Sequence, residues 1–153
     1  MKNTTALFLF IIGLWDNSVY ASMLDIEKSI NHCFTEASLQ VNSSKECISL
    51  EEDKSRKDLQ REISTMKAII MEKYDDPFHL TEPDGDKINK IFIKQFDLSQ
   101  QAWEEARNNL CEANANLMGE WAQSHDSSVM SCNIKMNIRR IEEIKLITRT
   151  AKN

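Results

Sequence analysis

Glycine and proline are almost absent from this chain, and neither residue occurs between Ser22 and Asp76. The 153-residue sequence contains only 3 Gly and 2 Pro. Chains with many turns need these residues, so their scarcity argues against a β-sandwich, collagen or a low-complexity linker protein. Residues that favour helices, such as Lys, Glu, Met and Leu, are common instead. The length fits one domain, and we expect that domain to be all-α.

Hydrophobic spacing and turn residues divide the chain into four predicted helices. Their approximate bounds are 23–37, 44–74, 86–121 and 128–150. Apolar residues recur every three or four positions along one face of the second helix, namely Leu59, Ile63, Met66, Ile70 and Tyr74. Short connections make successive helices antiparallel neighbours. The sequence therefore predicts an antiparallel helical bundle.

A second apolar stripe is expected to be the inner face of the third helix. It is traced by Ile88, Phe92, Gln95, Ser99, Ala102, Ala106, Leu110, Ala113 and Leu117, with Ile91, Phe96 and Trp103 widening it. This spacing is typical of an amphipathic helix that packs on a core. We found no internal repeat and no linker that would separate two domains.

The N-terminus has the order of a secretory signal. Lys2 is the only charge before an apolar run from Ala6 to Trp15, and a polar patch and then Ala21 follow. Ten helical residues rise about 15 Å, which is roughly half of a bilayer core, so a permanent span is disfavoured. We predict a signal peptide at 1–21 and a single helical domain at 22–153, periplasmic or secreted. The alternative is an uncleaved membrane anchor.

Four cysteines remain after the predicted cleavage: Cys33, Cys47, Cys111 and Cys132. An even number in an exported chain suggests disulfides, with three possible pairings. Proximity in the sequence favours the first with the second and the third with the fourth, and two helical hairpins would bring the same pairs together. A metal site is a weaker alternative because no C-x-x-C pair is present. Free thiols are less expected in an exported protein.

The net charge of −5 at pH 7 argues against a general nucleic-acid binder, which would need a basic surface. No stable membrane span is expected once the signal is removed. The sequence predicts no cofactor and no metal, and it contains no phosphate-binding glycine loop or dinucleotide fingerprint.

No arrangement of residues typical of an active site is found, so we expect no enzyme. His32, His79 and His125 are scattered and show no H-E-x-x-H spacing. The run His125-Asp126-Ser127 contains the residue types of a catalytic triad, but a triad needs separated positions that converge in space. We interpret that run as part of a turn.

Residues in the third and fourth helices follow a recognisable order. Gln100, Trp103, Arg107 and Cys111 lie along one helix face, and Cys132, Arg140 and Glu143 come later in the chain. This order resembles the LprI-type lysozyme inhibitor N-terminal domain family, long described as a domain of unknown function. The resemblance covers about residues 30–144. The chain departs from the family pattern at Gln101, where members usually have Arg, at Asn108, where many have Asp, and at Ile144, which replaces Leu.

The motif residues are expected to be structural. Trp103 would bury its ring against the fourth helix, and Arg107 would pair with a carboxylate such as Glu143. Alternatively, Trp103 and Arg107 would be exposed anchors for a partner, since both residue types are common in interface hot spots.

The resemblance implies a protein that binds and inhibits a lysozyme or another cell-wall hydrolase. An acidic chain would meet cationic lysozymes faster. The predicted contact residues, in the loop 75–86, are Asp75, Asp76, Glu82, Asp84 and Asp86. The turn 123–128 is a second candidate. Alternative functions are a periplasmic immunity-like protein against a cell-wall-degrading toxin, an envelope protein with no inhibitory role and, least favoured, an enzyme acting on envelope material.

Overall fold

The computed structural model describes residues 27–28, 30–35 and 41–153, with side chains described from Ser44 onward in the last range. Helix α1 comprises residues 27–28 and 30–35; α2 is Val41–Lys73, α3 is Ile88–Asn116 and α4 is His125–Lys152. The described ranges contain no strand, only one isolated bridge between Pro77 and Lys87. The predicted antiparallel helical bundle is confirmed. The predicted signal peptide, 1–21, lies outside the described residues.

Successive helices run in opposite directions, so α2 and α4 are parallel neighbours and α3 is antiparallel to both. Lys45 Nζ lies 2.5 Å from Asp126 Oδ2 where α2 and α4 begin. Where these helices finish, Lys73 Nζ donates to the Lys152 carbonyl oxygen at 2.7 Å. Near the start of α4, α1 contacts it through the ion pair between Glu27 and Lys135. We call the end near Lys45 the disulfide end and the end near Lys73 the loop end.

Two clusters of buried side chains form the core. The larger joins α2, α3 and α4 and contains Leu59, Ile63, Met66, Ile70, Phe96, Ile141, Ile144 and Ala151. In the smaller, Ile30 of α1 packs with Ile48 and Ile134 at the disulfide end. Burying one such side chain fully stabilises the fold by roughly 1.5–3 kcal/mol. The face predicted for the second helix is therefore the inner face of α2.

The stripe predicted as the inner face of α3 is wrong over most of its length, although Phe96 is buried in the core and Phe92 and Trp103 pack against it, as expected. The buried residues of α3 are Asn89, Phe96, Gln100, Cys111 and Ala115. Seven of the nine stripe residues, those from Gln95 to Leu117, are exposed to solvent, whereas Ile88 and Phe92 are half-buried. Apolar spacing alone misplaced the face because Gln100 and Arg107 turn inward, where partners on α4 satisfy their polar atoms.

Both disulfides join the cysteine pairs that sequence proximity favoured. Cys33 and Cys47 link α1 to α2 with 5.5 Å between their Cα atoms, and Cys111 and Cys132 link α3 to α4 with 5.4 Å. Cys33 and Cys111 are fully buried. The bonds therefore connect neighbouring helices at one end of the bundle.

Helix α3 ends at Asn116, five residues earlier than the sequence predicted. The last turn tightens, since the amides of Leu117, Met118 and Gly119 each bond to the carbonyl three residues earlier. Gly119 then adopts φ of +83°, a conformation that stops helices and favours glycine. Within the described residues, no helix combines the length and hydropathy needed to cross a bilayer.

Candidate functional site

The loop 75–86, which we call the acidic loop, is held firmly where it leaves the helices. The Phe78 amide donates to the Asp86 carbonyl at 2.8 Å, and the Ile88 amide donates to the Asp76 carbonyl at 3.0 Å. Lys87 Nζ donates to the Asp75 carbonyl at 2.7 Å and lies 3.3 Å from the same residue's carboxylate. These hydrogen bonds join the beginning and the end of the acidic loop and hold it closed at the loop end of the bundle.

A buried amide fastens the acidic loop to the bundle. Asn89 is almost completely buried, and its Nδ2 donates to the Met71 carbonyl at 3.1 Å while its own amide donates to the Tyr74 carbonyl at 3.0 Å. This one residue therefore bonds to both the last turn of α2 and the first residue after it. Contacts of Asn89 with the bundle thus position the loop, in addition to the hydrogen bonds within the loop itself.

The tip of the acidic loop combines negative charge with exposed apolar side chains. Glu82, Asp84 and Asp86 are all exposed. Leu80 is 94% exposed and Phe78 is 49% exposed. The turn at the tip favours glycine at position 85, because a Cβ there would lie only 3.0 Å from the Glu82 carbonyl oxygen. An apolar side chain surrounded by carboxylates is suited to contact a partner that is cationic around an apolar pocket.

The five predicted contact residues therefore lie in one loop, but they do not have equal freedom. Asp75 is held by Lys87, and Asp76 lies at the base of the loop. Phe78 and Leu80 were not among the predicted contact residues. The sequence does contain a signal for them, because two of the three residues after Pro77 are apolar in an otherwise polar connection.

The motif residues form a set of polar contacts between the helices, which we call the polar layer. Arg107 Nη1 of α3 donates to Asn137 Oδ1 of α4 at 2.6 Å. Asn137 Nδ2 in turn donates to Ser55 Oγ of α2 at 2.9 Å. Asn137 and Ser55 are buried. One chain of hydrogen bonds thus joins all three long helices through the core.

Aromatic stacking and a second arginine extend the polar layer. Arg140 Nε donates to Gln100 Oε1 at 3.0 Å, and its Nη1 donates to Glu143 Oε2 at 2.7 Å. The guanidinium carbons of Arg107 and Arg140 lie 5.2 and 5.5 Å from the ring centre of Trp103. Cation–π contacts at such distances are attractive, so the half-buried Trp103 ring helps to position both arginines.

The expectation that Arg107 pairs with Glu143 is wrong, because Glu143 pairs with Arg140. Arg107 bonds instead to Asn137 in the core and to Asn108 at the surface. Burial lowers the pKa of Arg107, and the nearby carboxylates of Glu104 and Glu52 only partly oppose that change. A neutral amide suits this position because it accepts the hydrogen bond without placing a second charge in the core.

The turn between α3 and α4 lies at the disulfide end, far from the acidic loop. The 29 residues of α3 span about 44 Å between the two ends. Trp121 is 88% exposed in this turn. Because the two candidate contact regions lie at opposite ends of the bundle, they do not form one site.

The run His125-Asp126-Ser127 was expected to be part of a turn. It forms the start of α4 instead. His125 is buried, and its Nε2 lies 3.0 Å from Asn116 Oδ1, so it is engaged by the end of α3. An open hollow of about 790 Å³ adjoins it, lined in part by Glu112, Glu120 and Lys45. His125 thus fixes the start of α4 to the end of α3. The run is not arranged as a nucleophile beside its general base.

The hydrogen bond from Lys45 holds the pKa of Asp126 below its ordinary value of 3.8, with a further contribution from the charge of Lys45. A depressed carboxyl pKa stabilises the fold above pH 4 and loses that effect as the pH falls through the lowered value. We therefore expect Asp126→Asn to destabilise the protein at pH 6, with the difference from wild type shrinking as the pH falls below 3.8. Urea unfolding at several pH values measures this difference.

The Lys45→Met variant is the control for that measurement. In its background, Asp126→Asn should lose most of its pH-dependent effect, because the donor that depresses the pKa is gone. A difference between wild type and Asp126→Asn that stays constant from pH 6 to pH 2 would contradict the assignment.

Fold and site together define a disulfide-bonded helical bundle with an anchored, exposed acidic loop and a partly buried polar layer. Neither a scan against protein-family models nor comparisons with curated proteins and with solved structures found a match for the chain.

Proposed function

We propose that this protein is exported and inhibits a lysozyme or a related cell-wall hydrolase by contact, with the acidic loop as the contact element. The observation that carries the proposal is the loop itself. An exposed Leu80 lies among carboxylates on a chain segment that hydrogen bonds hold to the bundle. The proposed role is binding, with no reaction at the protein's own residues.

An anchored loop suits inhibition because little conformational entropy is lost on binding. The bonds of Phe78, Ile88 and Asn89 hold the loop in place before any partner arrives. Each side chain that must be ordered during binding costs about 0.5–1.5 kcal/mol. Preorganisation therefore leaves more of the contact energy for affinity.

Charge favours a cationic partner. The chain carries −5 overall, and five carboxylates lie within the acidic loop. Complementary charge raises the association rate and adds selectivity against acidic proteins. Leu80 would then provide the apolar contact at the centre, where interface energy is usually concentrated.

Export and family membership belong to the same proposal. Two disulfides are characteristic of proteins that fold outside the cytosol, and the N-terminal sequence has the order of a signal peptide. Gln100, Trp103 and Arg107 keep the LprI-type order. Their contacts in the polar layer support a scaffold role for this motif, which leaves recognition to the loop.

A turbidity assay tests the proposal. Clearing of a cell-wall suspension by a cationic lysozyme should slow when the purified, oxidised protein is added. We expect Leu80→Ala to weaken inhibition about 10-fold, because it removes most of one exposed apolar contact. The matched control is Leu50→Ala, which removes an exposed leucine from α2, away from the acidic loop.

A second pair of variants separates local charge from total charge. Replacing Glu82, Asp84 and Asp86 by their amides should lower the association rate at low salt by about 10-fold. A control with amides at Glu46, Glu105 and Glu120, exposed carboxylates outside the loop, has the same net charge. Unchanged clearing at a large molar excess, across lysozymes and other cell-wall hydrolases, would remove the proposed function.

A further inference from the structure

The stripe of α3, which is exposed from Gln95 to Leu117, is an uncharged surface on an acidic protein. None of its nine residues is charged, although α3 carries seven charged side chains: Lys90, Lys94, Asp97, Glu104, Glu105, Arg107 and Glu112. Leu110 is 55% exposed and Leu117 is 86% exposed. Leu98, which is 54% exposed, widens the stripe. A helix face of this composition is normally covered.

The two ends of this stripe have complementary shapes. At the loop end, Ile88 and Phe92 line an apolar groove of about 440 Å³ together with Leu146 and Ile147 of α4. At the other end of α3, the side chain of Leu117 extends almost fully into solvent. Both features lie on the same helix face, one at each end.

We infer that two copies of this chain pair through the stripes of their α3 helices, in antiparallel orientation about a two-fold axis. Such a pairing places Leu117 of each copy at Ile88 of the other, so that each exposed leucine enters the partner copy's apolar groove. Phe92 then lies opposite Ala113, which matches a large side chain with a small one. A two-fold interface requires this kind of self-complementarity.

The centre of the stripe allows the two helices to approach closely. Ser99, Ala102 and Ala106 are small, and Ala102 lies next to the two-fold axis. The stripe advances in alternating steps of four and three residues from Ile88 to Ala106, the spacing that keeps two packed helices in contact along their length. Among the nine stripe residues, the larger side chains lie on either side of this centre.

Charge favours a second copy over a cationic partner at this surface. Because the stripe has no carboxylates, it offers no attraction to the kind of partner proposed for the acidic loop. Two copies bring no like charges together within the stripe, although each molecule carries −5 overall. The same uncharged character makes the surface complementary to itself.

The size of the surface sets the expected affinity. A helix about 44 Å long and about 10–12 Å wide presents roughly 500 Å², and the groove and Leu146 increase this. Stable interfaces bury about 800 Å² on each partner. We therefore expect a reversible dimer with a dissociation constant of roughly 1–10 μM.

Sedimentation equilibrium of the oxidised protein between about 1 and 200 μM tests the inference. Wild type should shift from monomer to dimer across this range. Ala102→Glu should weaken the dimer at least about 100-fold, because it brings two carboxylates together next to the axis. Leu117→Ala should weaken it roughly 10- to 100-fold, since both copies lose their contact with the groove.

Gln101→Glu is the matched control, because it adds the same charge to an exposed position one residue away on another face of α3. It should leave the dimer intact, and far-UV circular dichroism should show all variants equally helical. Wild type and variants are prepared with the same N-terminus, so differences in dimerisation among them result from the substitutions in the stripe and in α3. A wild type that stays monomeric, a dimer unaffected by Ala102→Glu, or equal losses in Ala102→Glu and Gln101→Glu would each overturn the inference.

Discussion

Replacing Cys111 and Cys132 by alanine is expected to lower the free energy of unfolding by about 3 kcal/mol. The bond closes a segment with a sequence separation of 21 residues, and without it the unfolded chain gains conformational freedom. Cys111 is completely buried, so alanine is preferred to serine because it adds no unsatisfied hydroxyl group. Urea unfolding followed by circular dichroism measures the change, with the bundle expected to unfold in one transition.

The bond between Cys33 and Cys47 provides the comparison. Its loss stabilises the unfolded chain by a similar free energy, about 3 kcal/mol. However, this bond connects only the short α1 to the bundle. We therefore expect the Cys33→Ala, Cys47→Ala variant to lose hydrogen-exchange protection in α1 while α2, α3 and α4 keep theirs. The main unfolding transition should move much less than in the Cys111→Ala, Cys132→Ala variant.

The two disulfide variants thus distinguish a bond within the cooperative unit from a bond to its edge. Equal shifts of the main transition in both variants would contradict this assignment and make α1 part of the same unit. If the Cys111→Ala, Cys132→Ala variant is as stable as wild type, the bond does not stabilise the fold by restricting the unfolded chain, and the prediction is wrong.

Asn137→Ala is expected to destabilise the fold by about 3 kcal/mol, because it removes one hydrogen bond from the half-buried, charged Arg107 and another from the buried Ser55. Arg107 loses its acceptor in the core at 2.6 Å, and Ser55 loses its donor at 2.9 Å. Hydrogen bonds to charged groups are stronger than neutral ones, and a partly buried charge that loses its acceptor in the core is costly. The measurement is the urea midpoint at constant m-value.

Asn108→Ala is the matched control for this variant. Asn108 also accepts hydrogen bonds from Arg107, at 3.1 and 2.8 Å, but it is exposed, so water replaces it. We expect its loss to cost less than about 1 kcal/mol. If both substitutions lower the free energy of unfolding equally, the contact between Arg107 and Asn137 in the core stabilises the fold no more than the surface contact does.

A double variant tests whether the cost comes from the unpaired charge. Arg107→Met with Asn137→Leu removes both polar partners, and it should recover a large part of the stability that Asn137→Ala loses. A double variant less stable than Asn137→Ala would instead show that the polar layer is needed as a connected network.

The helical class, the face of α2 and the cysteine pairing were predictable because they depend on local signals. Apolar residues at helical spacing mark the inner face of α2 from Leu59 to Ile70, and sparse glycine and proline allow long helices. Neighbouring cysteines at the ends of successive helices pair because short connections force hairpins. None of these predictions needs knowledge of distant contacts.

The inner face of α3 was not predictable in the same way. Ala102 and Ala106 count as apolar in any periodic pattern, yet they are exposed. Gln100 and Arg107 count as polar, yet they turn inward because Arg140 and Asn137 lie opposite them. Whether a polar side chain can be buried depends on a partner about 30 to 40 positions away, which no local pattern contains.

For the candidate site, the sequence alone determined where negative charge is concentrated and where the chain turns, since both depend on residue types near Pro83 and Gly85. Only the tertiary structure decided that Asn89 and Lys87 anchor the acidic loop, that Leu80 is exposed at its tip and that Trp121 lies at the opposite end. The reason is physical: charge and turn propensity belong to single residues and their neighbours, whereas burial and exposure are set by the packing of α2, α3 and α4 against one another.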